Sequence, residues 1–202
     1  MGTPVPHELI THTHAERERL ADLLDRLTPT QWDAASLCAG WRVREVVAHI
    51  TMPFRTKPLG VLARIVAAGF SFNRYADRDA RASAKAMSEQ ELLELLRANV
   101  THPWSPPGGG AAGALSHDVI HGLDITEPLG LPAPPADRIA AVLNSTTARQ
   151  IRYFGVDLHN QLLTANDTDA TIGQGPTRLV LPARDILLVV TGRRSLDQVV
   201  RR

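Results

Sequence analysis

Aliphatic residues recur every three or four positions along most of this 202-residue chain, and that period restricts it to helices more firmly than any other feature. Ile10, Leu20, Ala21, Leu23, Leu24 and Leu27 form one such stripe. They predict a helix from about His7 to Leu27, stopped by Thr28-Pro29 because proline cannot continue the hydrogen-bond ladder. Trp32 is the expected anchor of the connector from Thr30 to Gly40. A second helix runs from Trp41 to about Met52, with Val43, Val46, Val47 and Ile50 inward and Pro53 at its end. Ser88 to Asn99 is a third, capped by Ser88 with Glu91 three residues on and Leu92, Leu95 and Leu96 inward. Ala112 to Ile125 and Ala136 to Tyr153 read as further helices. Aromatic residues make up only 4% of the chain, so leucine, valine, isoleucine and alanine must fill its interior. That suits helical faces better than an aromatic-rich sandwich.

Two stretches depart from this pattern. Thr56 to Ala86 looks helical around Val61 to Phe72, then turns charged and polar from Asn73 to Arg81, where a mobile loop or lid is expected. Beyond Gly155 come short runs, Gln161–Ala165, Ala170–Ile172 and Arg178–Leu181, separated by Asn-Asp and Gly-x-Gly-Pro turn signals. They predict a small antiparallel sheet, followed by a helix from Ala183 to Thr191 with Gly192 as its C-cap. The chain therefore reads as a helical body over residues 1–155 and a small α+β extension over 156–202.

Charge excludes some partners. Twenty-two lysines and arginines face 21 acidic residues, for a net charge of +1, and no basic run marks a nucleic-acid groove. The closing Arg201-Arg202 reads as a solvated end. A lone cysteine, Cys38, has no internal disulfide partner, which points to a reducing compartment. Met1 to Glu8 lacks the basic and apolar regions of a secretory signal. Leu59 to Phe72, the most apolar stretch, is interrupted by Arg64 and falls short of the roughly 18–20 apolar residues of a membrane span. These readings predict a cytoplasmic protein with no nucleic-acid or membrane partner. The same Leu59–Phe72 helix offers a face to a second copy, so a homodimer is one expectation.

Eight histidines are present. His7, His12 and His14 fall in the first helix turns, and His102 and His159 beside loops. Three stand out. His117 and His121, four apart on a predicted helix, leave the same face, the spacing that lets two imidazoles share one ion. His49 sits in Val46-Val47-Ala48-His49-Ile50, a stretch so apolar that its ring must find a partner. Spacing alone leaves two readings open, metal ligands or satisfied core histidines. Cys38 precedes the second helix with no adjacent histidine to activate it, and reads as a small packing residue.

Three motifs in order carry a family resemblance. Trp32-x3-Ser36-x-Cys38-x-Gly40-Trp41-x-Val43-x-x-Val46-Val47-Ala48-His49 resembles the N-terminal signature of the mycothiol-dependent maleylpyruvate isomerase-like family, within the DinB-like superfamily of metal-binding four-helix bundles. His117-Asp118-Val119-Ile120-His121-Gly122-Leu123-Asp124-Ile125 resembles its second motif. Ala165 to Pro176, with Leu187 to Arg193 beyond, resembles its C-terminal extension. The resemblance implies a mainly α fold, an up-and-down four-helix bundle with a small C-terminal α+β extension. It also implies one divalent metal ion, zinc in the first place with nickel or manganese as alternatives, held by His49, His117 and His121. The chain departs from the founding isomerase in having His117 where that pattern has glutamate, and Ala170 where tryptophan is usual. The metal site is retained by this comparison, while maleylpyruvate as substrate is put in doubt.

Three neutral imidazoles leave one coordination position open, the catalytic rather than the structural pattern. The family's thiol is mycothiol, so the resemblance implies a transferase or isomerase in which a metal-bound thiolate attacks a small electrophilic substrate. Asp124 is a candidate to orient a ligand or contact substrate, against a plain helix-surface aspartate. Arg193 is a candidate to contact an anionic substrate, against capping the carbonyls of the preceding helix. A non-catalytic metal- or thiol-binding module and a metal-dependent hydrolase on the same bundle remain as alternatives. A DNA-damage role, suggested only by the superfamily's name, is disfavoured by the balanced charge.

Overall fold

The structure, a computed structural model, describes residues 5–56 and 58–201, with side chains at all of these except 58, 59 and 61–63. It is mainly helical, with a small sheet near the C-terminal end, as expected of its class. It divides into two compact units, residues 14–104 with 124–131, and residues 1–13 and 105–123 with 132–202. Both α1 (Pro6–Leu24) and α8 (Gly110–Leu129) are continuous helices that contribute residues to each. Among the described residues no helix is long and apolar enough to cross a membrane.

The first of these units is built around α3 (Val43–Ile50), where Val43, Glu45, Val46, Val47, Ala48, His49 and Ile50 are all buried. Leu20, Ala21 and Leu24 of α1 share its core with Trp32 of the one-turn α2 (Pro29–Trp32). Thr28 caps α2 through a box with Gln31, which accounts for helix in what the sequence predicts as connector. Ile10, expected on the buried stripe of α1, is instead 44% exposed. After α3 the chain turns through α4 (Met52–Arg55). Pro53, expected to end the second helix, lies in the first turn of α4, where its missing N–H costs nothing.

Thr56 to Ala86 differs most from expectation. After α5 (Pro58–Ala67), the charged stretch forms α6 (Phe72–Ala86), capped by Ser71, where a loop or lid is predicted. Its buried positions explain the miss: Tyr75, Ala76, Ala80 and Ala84 carry little apolar signal, yet alanines four apart let α6 pack closely against α3. Arg74, Arg78 and Arg81 cover the outer face, while Asp77 and Asp79 bond Trp41 and Arg55. Ser88 and Glu91 form the expected capping box of α7 (Glu89–Arg97), whose Leu92, Leu93 and Leu96 are buried, with Leu93 in place of the expected Leu95.

The possible dimer face, Leu59 to Phe72, lies in part outside the described side chains; of the rest, Val66, Phe70 and Phe72 are exposed. The expectations for Met1 to Glu8 and Arg201-Arg202 also fall partly outside the described residues.

In the other unit the helix expected over Ala136 to Tyr153 is two, α9 (Ala136–Ser145) and α10 (Ala148–Tyr153). Thr146 and Thr147 take extended backbone, and Thr147 starts the new helix through a capping box with Gln150. Strands β1 (Gln161–Ala165), β2 (Thr171–Gly173) and β3 (Thr177–Leu181) follow in the order β2-β1-β3. The predicted antiparallel sheet is in fact mixed: β1 pairs antiparallel with β2 but parallel with β3. To reach the far side of β1, residues 174–176 pass under its N-terminal end. There Gly175 N–H donates to Gln161 C=O at 3.1 Å and Thr177 N–H to Asn160 C=O at 2.9 Å. A Cβ on Gly175 would collide with the backbone of Asn160 and Gln161, so only glycine permits the crossing. Finally α11 (Ala183–Val190) packs on α9 and β1, with Gly192 (φ +69°) just beyond its end, and α12 (Leu196–Val200), absent from the sequence reading, packs on α11.

Two expected outcomes test this account. Burial pushes the Glu45 carboxyl up, but bonds from Arg42, backbone N–H at 2.8 Å and guanidinium at 2.6 Å, outweigh it and hold it below the usual carboxylate range. A carboxyl so depressed stabilises the fold above its unfolded value and loses that contribution as pH falls through its folded value. Glu45→Gln should therefore lower the unfolding free energy by about 0.5–2 kcal/mol at neutral pH, with the gap closing in acid, as read by urea unfolding. Gly175→Ala should cost more than about 1 kcal/mol in the same assay. Gly60→Ala, with open space around it, is the control.

Candidate metal centre

His49 lies in the last turn of α3 and is 7% exposed. The loop before α3 closes through an Ala35–Arg42 bridge and Gly40 in the left-handed region (φ +75°). Ser36 Oγ donates to Trp41 C=O at 2.9 Å, and Trp41 Nε1 donates to Asp77 Oδ1 of α6 at 2.7 Å. The indole so fixed lies 5.3 Å from the His49 ring, centroid to centroid, at 54°. Two aromatic contacts in the signature motif, Trp41 and His49, thus form one packed pair.

On α8, His117 and His121 share a face as their spacing predicts, with ring centroids 4.8 Å apart at 79°. His117 Nδ1 is 2.8 Å from Asp118 Oδ1, and Asp118 is 1% exposed. An ionised carboxylate only accepts, so Nδ1 carries the hydrogen and the lone pair falls on Nε2. A carboxylate on the far nitrogen is the arrangement that orients a metal-binding imidazole. One turn on, Asp124 is fully buried rather than on a helix surface. Its Oδ2 accepts from Cys38 Sγ at 3.0 Å, and its backbone C=O accepts from Leu37 N–H at 3.0 Å. Cys38 is half-buried and engaged, more than the packing residue expected.

Among the described residues, two groups of side chains could hold an ion, each with ligand atoms all within 4.8 Å of one another. One is His49, His117 and His121; the other is Cys38, His121 and Asp124. The chemistry of the first set fits: three neutral imidazoles suit a borderline divalent ion and leave a position for a further ligand.

The remaining histidines fall outside both groups. His159 pairs with Asp157 on the surface at 2.8 Å. The His102 ring packs on Phe54 with centroids 5.1 Å apart, and its Nδ1 accepts from Trp104 N–H at 3.2 Å. Arg193 donates to Thr191 C=O at 2.9 Å, at the end of α11, and lies over the Phe154 ring at 5.5 Å. Sequence reasoning passed over Asp118. The only signal was a carboxylate next to a metal-spaced histidine, and adjacent helix residues do not ordinarily face each other.

Comparison with known proteins places part of the chain. Residues 13–103 match the family described as the mycothiol maleylpyruvate isomerase N-terminal domain. No curated relative matches by sequence. A crystal structure of the mycothiol-dependent maleylpyruvate isomerase superposes with a TM-score of 0.62 at 15% identity, covering 97% of this chain and 94% of that one. A histidine-to-alanine mutant of that enzyme gives 0.60 at 15% identity, over 96% and 93%. At this identity the likeness establishes the shared fold.

Asp118→Asn is expected to weaken uptake of a divalent ion about 10–100-fold, the usual cost of losing a carboxylate that orients a ligating histidine. Competition against a chelator of known affinity reads it, and unchanged affinity would separate Asp118 from the site.

Proposed function

We propose that this chain, whose residues 13–103 match the mycothiol maleylpyruvate isomerase N-terminal domain, is a metal- and thiol-dependent transferase or isomerase acting on a small electrophilic substrate. His49, His117 and His121 are its metal ligands. One observation carries the reading: three imidazoles with ligand atoms within 4.8 Å of one another, two of them on one helix face. Zinc is the expected ion and mycothiol the expected thiol, with nickel and manganese as alternatives.

A divalent ion there would supply Lewis acidity and ionise a thiol at neutral pH. The chain's own residues do the rest. Asp118 holds the His117 ring by Nδ1 and sets its tautomer. Burial of His49 beside Trp41 keeps that flank apolar, where charge interactions are screened less than in water. A thiol ionised there, its proton released to solvent, would serve as the nucleophile toward an electrophilic carbon, with a leaving group departing with its electron pair in a transfer or the sulfur itself expelled again in an isomerisation. His117 stands where the founding isomerase has glutamate, and Ala170 is fully buried where that pattern has tryptophan, so a substrate other than maleylpyruvate is favoured.

Elemental mass spectrometry tests the ligand set. About one equivalent of metal per chain is expected in the native protein, lost in His49→Ala, His117→Ala and His121→Ala. Native protein that takes up no zinc, nickel or manganese would sink the reading. With metal bound, turnover of an epoxide or chloroarene only when thiol is present marks an enzyme; thiol binding without turnover marks a binding module.

A further inference from the structure

Cys38, His121 and Asp124 do not enter the three-imidazole set as a group, yet their ligand atoms also lie within 4.8 Å of one another. They combine a sulfur, a nitrogen and a carboxylate oxygen. The sulfur and the carboxylate are already in register, with Sγ 3.0 Å from Oδ2. The backbone bond from Leu37 to Asp124 C=O fixes the cysteine loop to the same turn of α8. Asp124 is fully buried and Cys38 half-buried.

We infer that Cys38, His121 and Asp124 form a second, thiophilic metal site that takes ions such as cadmium. Thiolate sulfur is a soft ligand and selects soft ions over those that imidazoles hold best. On binding, the Cys38 thiol proton passes to solvent and the sulfur lone pair forms the bond to the ion. Asp124 Oδ2, relieved of the S–H bond, turns its own lone pair to the same ion. No electron is transferred. His121 belongs to both sets.

The inference shares only His121 with the function proposed above, and the two fail separately. Metal-stripped full-length protein is titrated with cadmium while the near-ultraviolet thiolate-to-metal absorption is followed. The band should grow to saturation in the native protein, vanish in Cys38→Ser and His121→Ala, and persist in His49→Ala and His117→Ala. Cadmium-113 NMR of the native protein, needing no variant, should show a resonance displaced toward sulfur ligation. Absence of the band, its survival in Cys38→Ser, or its loss in His49→Ala would overturn the inference; the last would make Cys38 a ligand of the three-histidine ion. Zinc uptake unchanged by His49→Ala and His117→Ala would instead defeat the three-histidine reading and leave the cadmium band standing.

Discussion

A helix buried at seven of its eight positions tolerates few unsatisfied polar side chains, and α3 is such a helix. Its valines and isoleucine give up to about 1.5–3 kcal/mol each on burial, but they take Glu45 and His49 inside with them. Glu45 is answered locally by Arg42, through both backbone and guanidinium. His49 is set beside Trp41, itself held by Asp77 of α6. Close approach of α6 through its alanines is therefore part of what places His49, and the charged helix that looks like a loop in sequence supports the site.

α8 does a comparable job with different means. Its helical period puts His117 and His121 on one face, and its buried carboxylates serve different neighbours. Asp118 holds an imidazole by the far nitrogen, while Asp124 gathers the Cys38 loop through side chain and backbone. The two donor sets, one of nitrogen only and one of mixed sulfur, nitrogen and oxygen, meet at His121.

Much of the helical layout was legible because period, caps and breakers agreed. Ser88 with Glu91 announced α7, and His-x3-His announced a shared face on α8. The misses have common causes. α6 hid because alanine gives almost no hydrophobic signal, though it packs as closely as any residue. The long helix predicted over Ala136 to Tyr153 broke where two threonines favoured a fresh cap over continued helix. The sheet was expected to be antiparallel because turn signals mark where a chain reverses but not which neighbour it then joins. Gly175, readable only as a turn residue, is the glycine that lets the chain pass under β1.

By itself the sequence determined the helical class, most element positions, and the identity of three histidines worth considering together, because these depend on local period and residue chemistry. Tertiary structure alone decided what those histidines stand beside. It turned Asp124 from a helix-surface aspartate into a buried acceptor and Cys38 from packing into a donor to it, and it brought Asp118 against His117. Each of those outcomes depends on how side chains are turned and which distant segment meets them, and no spacing along a single chain encodes that.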